Sequence, residues 1–214
     1  MMKKVCLLNG SLRGENASSL QFMVRVSRRL VRPDFIVERL SVKSGPGGRY
    51  PAETLAVACG ADAIIMAFPL FSYSLPGALM AFLEDFYAHV REGGSRRNGA
   101  KVFAIINCGF PEPRIMEEAI RVVKNFCARL GLSYRFSIAI ATGPVTAMTM
   151  KVPLLNARLK KAFAGIPRDI AGDGEWRGGD VFIKPIIPKC ILLRIKERYE
   201  RRSLVLSHEP RDTA

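Results

Sequence analysis

The stretch "LLNGSLRGENASSLQFM" (residues 7–23) contains the change of character that decides the fold. An apolar run ends at Asn9, and an amphipathic pattern resumes near Ala17. Between them lie two glycines, an arginine, an asparagine and several hydroxyl-bearing residues. An apolar run, a polar turn and an amphipathic run are typical of a β-strand that leads into an α-helix. Because backbone N–H groups at a helix start bind anions, the stretch predicts an anion-binding turn.

Apolar runs elsewhere in the chain predict a sheet of five parallel strands. They lie at residues 4–8, 35–42, 62–68, 101–108 and 134–142. The first, third and fourth runs are continuously apolar, as expected of strands covered on both faces. The second and fifth mix charged and apolar residues, which predicts that they form the two edges. The resulting strand order, 2-1-3-4-5, is that of a flavodoxin-like doubly wound α/β fold.

Helical patterns separate these strands and then weaken beyond Thr142. Pro33 and Gly131 are predicted to end the first and last of the helices between strands. Further on, helices are predicted at 148–164 and 188–202, with a flexible loop at 172–180. Residues 1–142 are therefore interpreted as a flavodoxin-like domain, and residues 143–214 as a C-terminal helical extension of the same domain.

Composition excludes several classes of protein. The five cysteines of the 214 residues are scattered and odd in number, which argues for free thiols and against disulfides or an iron–sulfur site. With only two histidines, no metal site is predicted. No apolar run reaches the roughly 18 residues of a membrane helix. A cytoplasmic protein without a transmembrane segment is expected.

The formal net charge of +14 is spread along the chain. Diffuse positive charge attracts phosphorylated cofactors and nucleic acid alike. The chain shows no nucleic-acid-binding motif, so nucleic acid is not expected as a partner. The basic segment at residues 189–202 is interpreted either as an ordinary packed helix or as a contact for a membrane surface or an acidic partner.

In an open parallel sheet, ligands bind outside the carboxyl ends of the strands, where the strand order reverses. The turn after the first strand (loop 1, residues 10–17) is rich in donors for a phosphate group. It matches neither G-x-x-x-x-G-K-[ST] nor G-x-G-x-x-G, which argues against a nucleotide triphosphatase and a dinucleotide site. The other reading is an N-capped helix with incidental serines.

Two further turns follow the third and fourth strands. In "FPLFSYSLPGALMAFLEDF" (residues 68–86, including loop 2, residues 70–76), Phe71 and Tyr73 are expected in an exposed turn and suit a flat heteroaromatic ring. The alternative is that Leu70, Phe71 and Leu75 pack on a neighbouring helix or a second subunit. In "NCGFPEP" (residues 107–113, including loop 3, residues 108–113), Glu112 either closes the ring's other edge or is only a favourable charge at a helix N-terminus. Cys108 is interpreted as a small packing residue rather than a redox-active thiol.

The motifs "NGSLRGENASS", "PLFSYSLPGALMAFLEDF" and "CGFPEP", in this order, resemble the NADPH-dependent FMN reductase family of flavodoxin-like oxidoreductases. The resemblance covers residues 3 to about 142 and implies FMN as cofactor and NAD(P)H as co-substrate. It implies that the phosphate is held by Ser11, Arg13, Asn16, Ser18 and Ser19. It also implies a ring lined by Pro69, Leu70, Phe71 and Ser72, with its polar edge at Asn107, Cys108, Gly109 and Phe110.

The resemblance further implies hydride transfer from NAD(P)H through FMN to a small acceptor, quinone-like, flavin or similar. No protein side chain is expected to be catalytic, since the chemistry takes place on FMN. A homodimer or homotetramer is expected, with Trp176 in residues 172–180 contributing to a neighbour's ring site. The alternatives are an electron carrier, which in this fold is usually strongly acidic, and a flavodoxin-like scaffold that acts as a binding partner. The acceptor and the preference between NADH and NADPH stay open.

Overall fold

A computed structural model describes residues 2–13, 17–42, 49–93, 99–150, 156–174 and 176–184. Six strands form one sheet in the order β2-β1-β3-β4-β5-β6. Every neighbouring pair in this sheet is parallel. The strands are β1 (Lys3–Asn9), β2 (Phe35–Ser41), β3 (Ala63–Pro69), β4 (Lys101–Asn107), β5 (Ser133–Ile140) and β6 (Val181–Ile183).

Helices cover both faces of the sheet. They are α1 (Ser18–Ser27), α2 (Ala52–Cys59), α3 (Gly77–Arg91), α4 (Glu117–Leu130), α5 (Gly143–Thr149) and α6 (Ala157–Ala171). Buried side chains of α2, α3 and α4 pack in one core cluster, and those of α1, α5 and α6 in the other. The described helices include none with the length and apolar character that a bilayer span requires.

The continuously apolar strands lie where the sequence placed them. Along β1, Val5 and Leu7 belong to one core cluster, whereas Cys6 and Leu8 belong to the other. Since both faces of β1, β3 and β4 are covered, neither face carries the polar residues of an exposed strand. The predicted order 2-1-3-4-5 is confirmed, as is the edge position of β2.

The prediction that β5 is an edge strand is wrong, because β6 pairs with it and raises the strand count from five to six. Ile138 lies opposite Val181, and Ile140 opposite Ile183. The polar residues of β5 misled the prediction because they have partners inside the protein. Ser137 N–H donates to Asp180 Oδ1 at 2.8 Å, and the Tyr134 hydroxyl donates to the same atom.

The single helix predicted at 148–164 is also wrong: two helices, α5 and α6, occupy this part of the chain. Asn156 precedes α6 with φ 63°, a left-handed conformation that separates the segments. Leu159 and Phe163 of α6 are fully buried in the core cluster of α1. The predicted helix at 188–202 and the basic segment 189–202 lie outside the described residues.

Asp169, in the last turn of α6, is the centre of a buried polar network. Its carboxylate accepts from Arg135 Nε and Nη2, each at 3.0 Å, and lies 3.2 Å from Lys101 Nζ. The Trp176 backbone N–H donates to it at 3.0 Å. Burial alone would raise the pKa of Asp169, but hydrogen bonds from Arg135, Trp176 and Lys101 outweigh it and lower that pKa. The network fastens α6 to the amino ends of β4 and β5.

Candidate functional site

Loops 1, 2 and 3 lie side by side at the carboxyl edge of the sheet. The N–H of Gly10 donates to the carbonyl of Ala67 at 2.8 Å, and the N–H of Leu70 to that of Asn107 at 2.7 Å. The N–H of Cys108 donates to the carbonyl of Ile140 at 3.1 Å. In each bond, the donor is the residue that directly follows one strand, and the acceptor lies at or near the end of the neighbouring strand. The three loops therefore form one continuous surface.

Gly10 allows loop 1 to pack directly on the end of β3 and the start of α3. A Cβ at this position would lie 2.8 Å from Leu79 Cδ2 and 2.8 Å from Phe68 Cβ. Contacts this short between carbon atoms are repulsive, so any larger residue would push loop 1 away from β3. The glycine is required by the close approach of two chain segments.

Residues 10–13, the first part of loop 1, are held by the polar side chains of Asn9 and Ser11. Ser11 is buried, and its N–H donates to Asn9 Oδ1 at 3.1 Å. The Ser11 hydroxyl oxygen accepts from the Arg13 N–H at 3.3 Å, which leaves the hydroxyl proton able to donate elsewhere. Arg13 is exposed, and Asn16 lies outside the described residues.

The start of α1 has backbone donors for which the described residues provide no acceptor. Ala17 at the N-cap position makes no side-chain cap, and the first turn contains no acidic residue. The helix's first bond runs from the Gln21 N–H to the Ala17 carbonyl at 3.2 Å, so the N–H groups of Ser18, Ser19 and Leu20 have no helical acceptor. The Ser19 hydroxyl is buried, and no partner for it occurs in the described part of the chain. This end of the surface fits an anion.

The middle of loop 2 is a tight turn with two residues at its tip. Phe71 and Ser74 exchange backbone hydrogen bonds of 3.0 and 2.8 Å. Ser72 and Tyr73 between them have φ of 46° and 62°, as in a type I′ turn. Such left-handed conformations cost about 1–3 kcal/mol each for residues other than glycine. The turn holds Phe71 and Tyr73 at 67% and 62% exposure, so two aromatic rings face outward beside loop 1.

Loop 3 presents backbone donors next to an exposed ring. The N–H groups of Thr142 and Gly143 donate to the carbonyls of Phe110 and Cys108, at 2.9 and 2.7 Å. The N–H groups of Gly109 and Phe110 themselves donate to no acceptor among the residues described. Phe110 is exposed, and space beside the Gly109 Cα is open to 4 Å. Loop 3 therefore combines a flat apolar side chain with two unused donors.

Asn107, the last residue of β4, adds a second unpartnered polar group at this edge. Its Oδ1 is buried without a hydrogen-bond partner in the described residues. A Cβ on Gly143 would lie 2.7 Å from Asn107 Nδ2, so the amide packs closely against the turn after β5. Since buried polar atoms normally have partners, this amide oxygen is suited to accept a hydrogen bond from a ligand.

Two side chains of loop 3 have roles that the structure defines. Burial raises the pKa of the Cys108 thiol, which stays protonated and packs inside the turn. Glu112 Oε1 accepts from the Arg114 N–H at 3.2 Å, capping a short 3₁₀ turn (Pro113–Met116). Its Oε2 pairs with Lys184 Nζ at 3.2 Å, and these contacts lower the pKa of Glu112. The structure thus favours the helix-terminus interpretation of Glu112.

Trp176 lies at the opposite edge of the sheet and packs within its own chain. Its ring is 4.9 Å from that of Phe136, and its Nε1 donates to the Gly179 carbonyl at 2.9 Å. Since the residues before a parallel strand lie at its amino edge, Trp176 lies away from the three loops of its own chain, and its contribution to a neighbour's ring site stays a prediction. The groove between α1 and β2, of roughly 510 Å³, also lies toward that edge and belongs to a different surface from the three loops.

Sequence reasoning missed the turn after β5. Thr142 has φ 47°, and together with Gly143 it supplies the bonds that hold loop 3. The dipeptide Gly143–Pro144 is a turn signal and would have marked this segment as a fourth loop at the same edge. Lys184 was also missed, because nothing in its local sequence points to Glu112.

No family model and no curated protein matches the sequence. Several solved structures are similar to it. One is an NADPH-quinone reductase from P. pentosaceus (TM-score 0.54, 15% identity, covering 78% of this chain and 97% of that chain). Another is an apo-form NADH:FMN oxidoreductase (TM-score 0.60, 17% identity, 76% and 87%). A third is a flavodoxin from Streptococcus pneumonia TIGR4 (TM-score 0.53, 13% identity, 80% and 99%).

These comparisons establish the class of fold. The predicted flavodoxin-like α/β architecture is confirmed by both the strand order and the solved structures.

Proposed function

We propose that this chain is a flavin-dependent oxidoreductase that binds FMN at the carboxyl edge of its sheet. In this proposal it passes a hydride from NAD(P)H to a small acceptor, quinone-like, flavin or similar. One observation carries the proposal: loops 1, 2 and 3 lie side by side, with donors at both ends that have no acceptor among the described residues and exposed flat side chains between them. The donors of loop 1 would match the phosphate of FMN. The exposed flat side chains and the donors of loop 3 would match its planar ring, with the linker between the two.

The phosphate would bind at loop 1 and the start of α1. The unused N–H groups and hydroxyls there suit a phosphate dianion, and the helix dipole adds to their attraction. Ser19 is the strongest single support, because its buried hydroxyl has no partner in the described residues. We assign the phosphate to Ser11, Arg13, Asn16, Ser18 and Ser19.

The ring would lie against loops 2 and 3. Phe71 offers an exposed aromatic face in loop 2, and Phe110 an exposed ring in loop 3. The N–H groups of Gly109 and Phe110 would donate to the polar edge of the ring. We assign the ring to Pro69, Leu70, Phe71 and Ser72, and its polar edge to Asn107, Cys108, Gly109 and Phe110.

When bound, FMN supplies the redox chemistry, and the protein supplies binding, orientation and electrostatics. Backbone donors of loop 3 would stabilise negative charge that develops at the ring's polar edge. Glu112 lies next to these donors, but its charge is balanced by Lys184 at 3.2 Å. Cys108 stays a buried thiol. No side chain of the chain is assigned an acid–base step.

We also propose that a second copy of the chain covers part of this surface, as a homodimer or homotetramer. Leu12, Phe71, Tyr73 and Phe110 are all more than half exposed, and all lie on loops 1 to 3. Contiguous exposed apolar groups mark interaction sites. Sedimentation of the FMN-bound protein tests this, and a monomer at all concentrations would contradict it.

The first test is the visible absorption spectrum of the purified protein with and without added FMN, followed by titration of FMN fluorescence. Saturable binding supports the cofactor assignment, and NADPH oxidation by the loaded protein supports the enzyme. Binding without NADPH oxidation would indicate an electron carrier, and no binding would indicate a scaffold.

The second test is Ser19→Ala. Loss of a hydrogen bond to a charged group should weaken FMN binding about ten-fold or more, because such bonds contribute roughly 1.5–3 kcal/mol. Ser27→Ala is the matched control, since its hydroxyl donates to the Val24 carbonyl at 3.1 Å at the other end of α1. Unchanged FMN affinity in Ser19→Ala would remove the phosphate assignment.

A further inference from the structure

We propose that β6 and the residue after it position loop 3, and that Lys184 and Glu112 are positioning residues for the N–H groups of Gly109 and Phe110. The consequence for FMN rests on the proposed function above, whereas the positioning itself does not. The proposal starts from β6, which lies outside the five-strand arrangement that the sequence predicted. Being parallel to β5, β6 delivers its last residue to the same edge as the three loops.

One connection from β6 to loop 3 runs through the backbone. The Ala141 N–H donates to the Ile183 carbonyl at 3.0 Å, which ties the turn after β5 to the end of β6. The next two N–H groups of that turn, those of Thr142 and Gly143, donate to loop 3 at Phe110 and Cys108. Three consecutive N–H groups therefore join β6 to the first half of loop 3.

A second connection runs through side chains to the other half of loop 3. Lys184 Nζ lies 3.2 Å from Glu112 Oε2, while Glu112 Oε1 accepts from the Arg114 N–H at 3.2 Å. The Arg114 guanidinium lies 5.1 Å from the centre of the Phe182 ring of β6. Glu112 is thus bonded to its own 3₁₀ turn and to the residue that follows β6.

Loop 3 needs such support because its central residues, Gly109 and Phe110, have few stabilising contacts of their own. Gly109 is exposed with open space around it, and neither its N–H nor that of Phe110 has a protein acceptor in the described chain. A loop fixed at both ends loses less conformational entropy when a ligand orders it. Fixing Cys108 through Gly143 and Glu112 through Lys184 leaves only three residues between the two attachment points.

The Lys184–Glu112 pair should act locally. Its side chains are 68% and 47% exposed, and exposed pairs contribute little to global stability. A matched control exists at the start of β6, where Lys124 Nζ lies 2.7 Å from Asp180 Oδ2 and the Lys124 side chain is 47% exposed. Removing that pair loosens the other end of β6 without touching loop 3.

The experiment compares Lys184→Ala, Glu112→Gln and Lys184→Arg with Lys124→Ala in the full chain. Hydrogen exchange without FMN is measured at the amides of Thr142 and Gly143, which hold loop 3. We expect exchange about three- to ten-fold faster in Lys184→Ala and Glu112→Gln, near wild-type rates in Lys184→Arg, and no change in Lys124→Ala. FMN affinity should fall about three- to ten-fold in the first two variants only, with the thermal midpoint unchanged.

Unchanged amide exchange in Lys184→Ala would overturn the positioning role, whether or not FMN binds. Equal effects in Lys124→Ala and Lys184→Ala would overturn it too, because they would reflect a general loosening of β6. Faster exchange with unaltered FMN affinity would overturn the link to the site. Failure of the wild-type protein to bind FMN would overturn the proposed function alone, since the exchange measurement still decides the positioning.

Discussion

Buried polar side chains in this chain occur in two opposite environments. Asp169 is fully buried and accepts hydrogen bonds from Arg135, Lys101 and the Trp176 backbone. Ser19 and Asn107 are also buried, yet Ser19 Oγ and Asn107 Oδ1 have no partner in the described residues. Burying a polar group without a partner costs free energy. The first environment therefore stabilises the fold, whereas the second is typical of a ligand-binding site.

Asp169→Asn should strongly destabilise the protein. The change removes the buried negative charge beside Arg135 and Lys101, whose side chains are only 18% and 32% exposed, and breaking a buried pair costs about 3–5 kcal/mol. Urea unfolding measures the loss. Asp34→Asn is the control, because the Arg32–Asp34 pair is 45% and 58% exposed and should contribute less than about 1 kcal/mol. Similar losses in both variants would contradict the assignment.

The effect of Asp169 should depend on pH. Its pKa in the folded protein is below the usual value, so its ionisation stabilises the fold above the unfolded pKa of about 3.9. That contribution is lost as pH falls through the folded pKa. The difference in unfolding free energy between wild type and Asp169→Asn should therefore be constant from about pH 5 to 8 and shrink below about pH 4. A difference unchanged at acidic pH would contradict this.

Gly10→Ala should destabilise the chain, whereas Gly109→Ala should not. The first Cβ would lie 2.8 Å from Leu79 and Phe68, and such overpacking costs about 1–3 kcal/mol. The second would meet nothing within 4 Å. Thermal unfolding of the two variants measures the contrast. Equal midpoints would show that loop 1 does not pack on β3 as described.

At the scale of single elements, β6 is held in the sheet by Asp180, the residue that precedes it. β6 has only three residues, too few for a strand of ordinary stability, yet it extends the sheet. Asp180, just before it, accepts from the Ser137 N–H at 2.8 Å and from Lys124 at 2.7 Å, and it also accepts from the Tyr134 hydroxyl. These bonds attach the start of β6 to β5 and α4.

Asp180→Ala should release β6 from the sheet. The change leaves the Ser137 N–H without its acceptor and removes one of the two partners of the Tyr134 hydroxyl, at a cost of about 1–3 kcal/mol. Urea unfolding measures the loss, and amide exchange in residues 181–183 should accelerate. The exposed Asp173, two residues past α6, is the control, and Asp173→Ala should change neither quantity. Unchanged exchange in Asp180→Ala would contradict the anchoring role.

At the scale of the whole molecule, the doubly wound sheet brings the ends of β1, β3 and β4 to one edge, so that residues far apart in sequence form one surface. The formal net charge of +14 gives the chain as a whole a positive field. Such a field raises association rates with anions and is screened by salt over a Debye length of about 8 Å at physiological ionic strength.

If the proposed function holds, kcat/KM for NADPH should fall as salt is raised, while kcat changes little. The dependence should be weaker for NADH, which carries less negative charge. Steady-state kinetics at low and high ionic strength measure both. Identical salt dependence for the two nucleotides would contradict steering by the net charge.

Much of the site surface could be predicted because it is local. Gly10, Pro69 and Gly109 lie at the ends of apolar runs, and strand ends in a parallel sheet must share an edge. The environments of Glu112 and Trp176 could not be predicted in the same way. Their partners, Lys184 and Phe136, are distant in sequence, and no periodicity encodes such a pairing.

The sequence by itself determined the layers of this protein, the order of its first five strands and the position of its loops. These follow from periodic burial, which each segment encodes in its own residues. Only the tertiary structure decided that β6 pairs with β5 and that Lys184 pairs with Glu112. It also decided that Asp169 and Asp180 bind the polar residues of β5. Those features depend on contacts between distant segments, and a polar residue looks the same in the sequence whether water or a buried partner satisfies it.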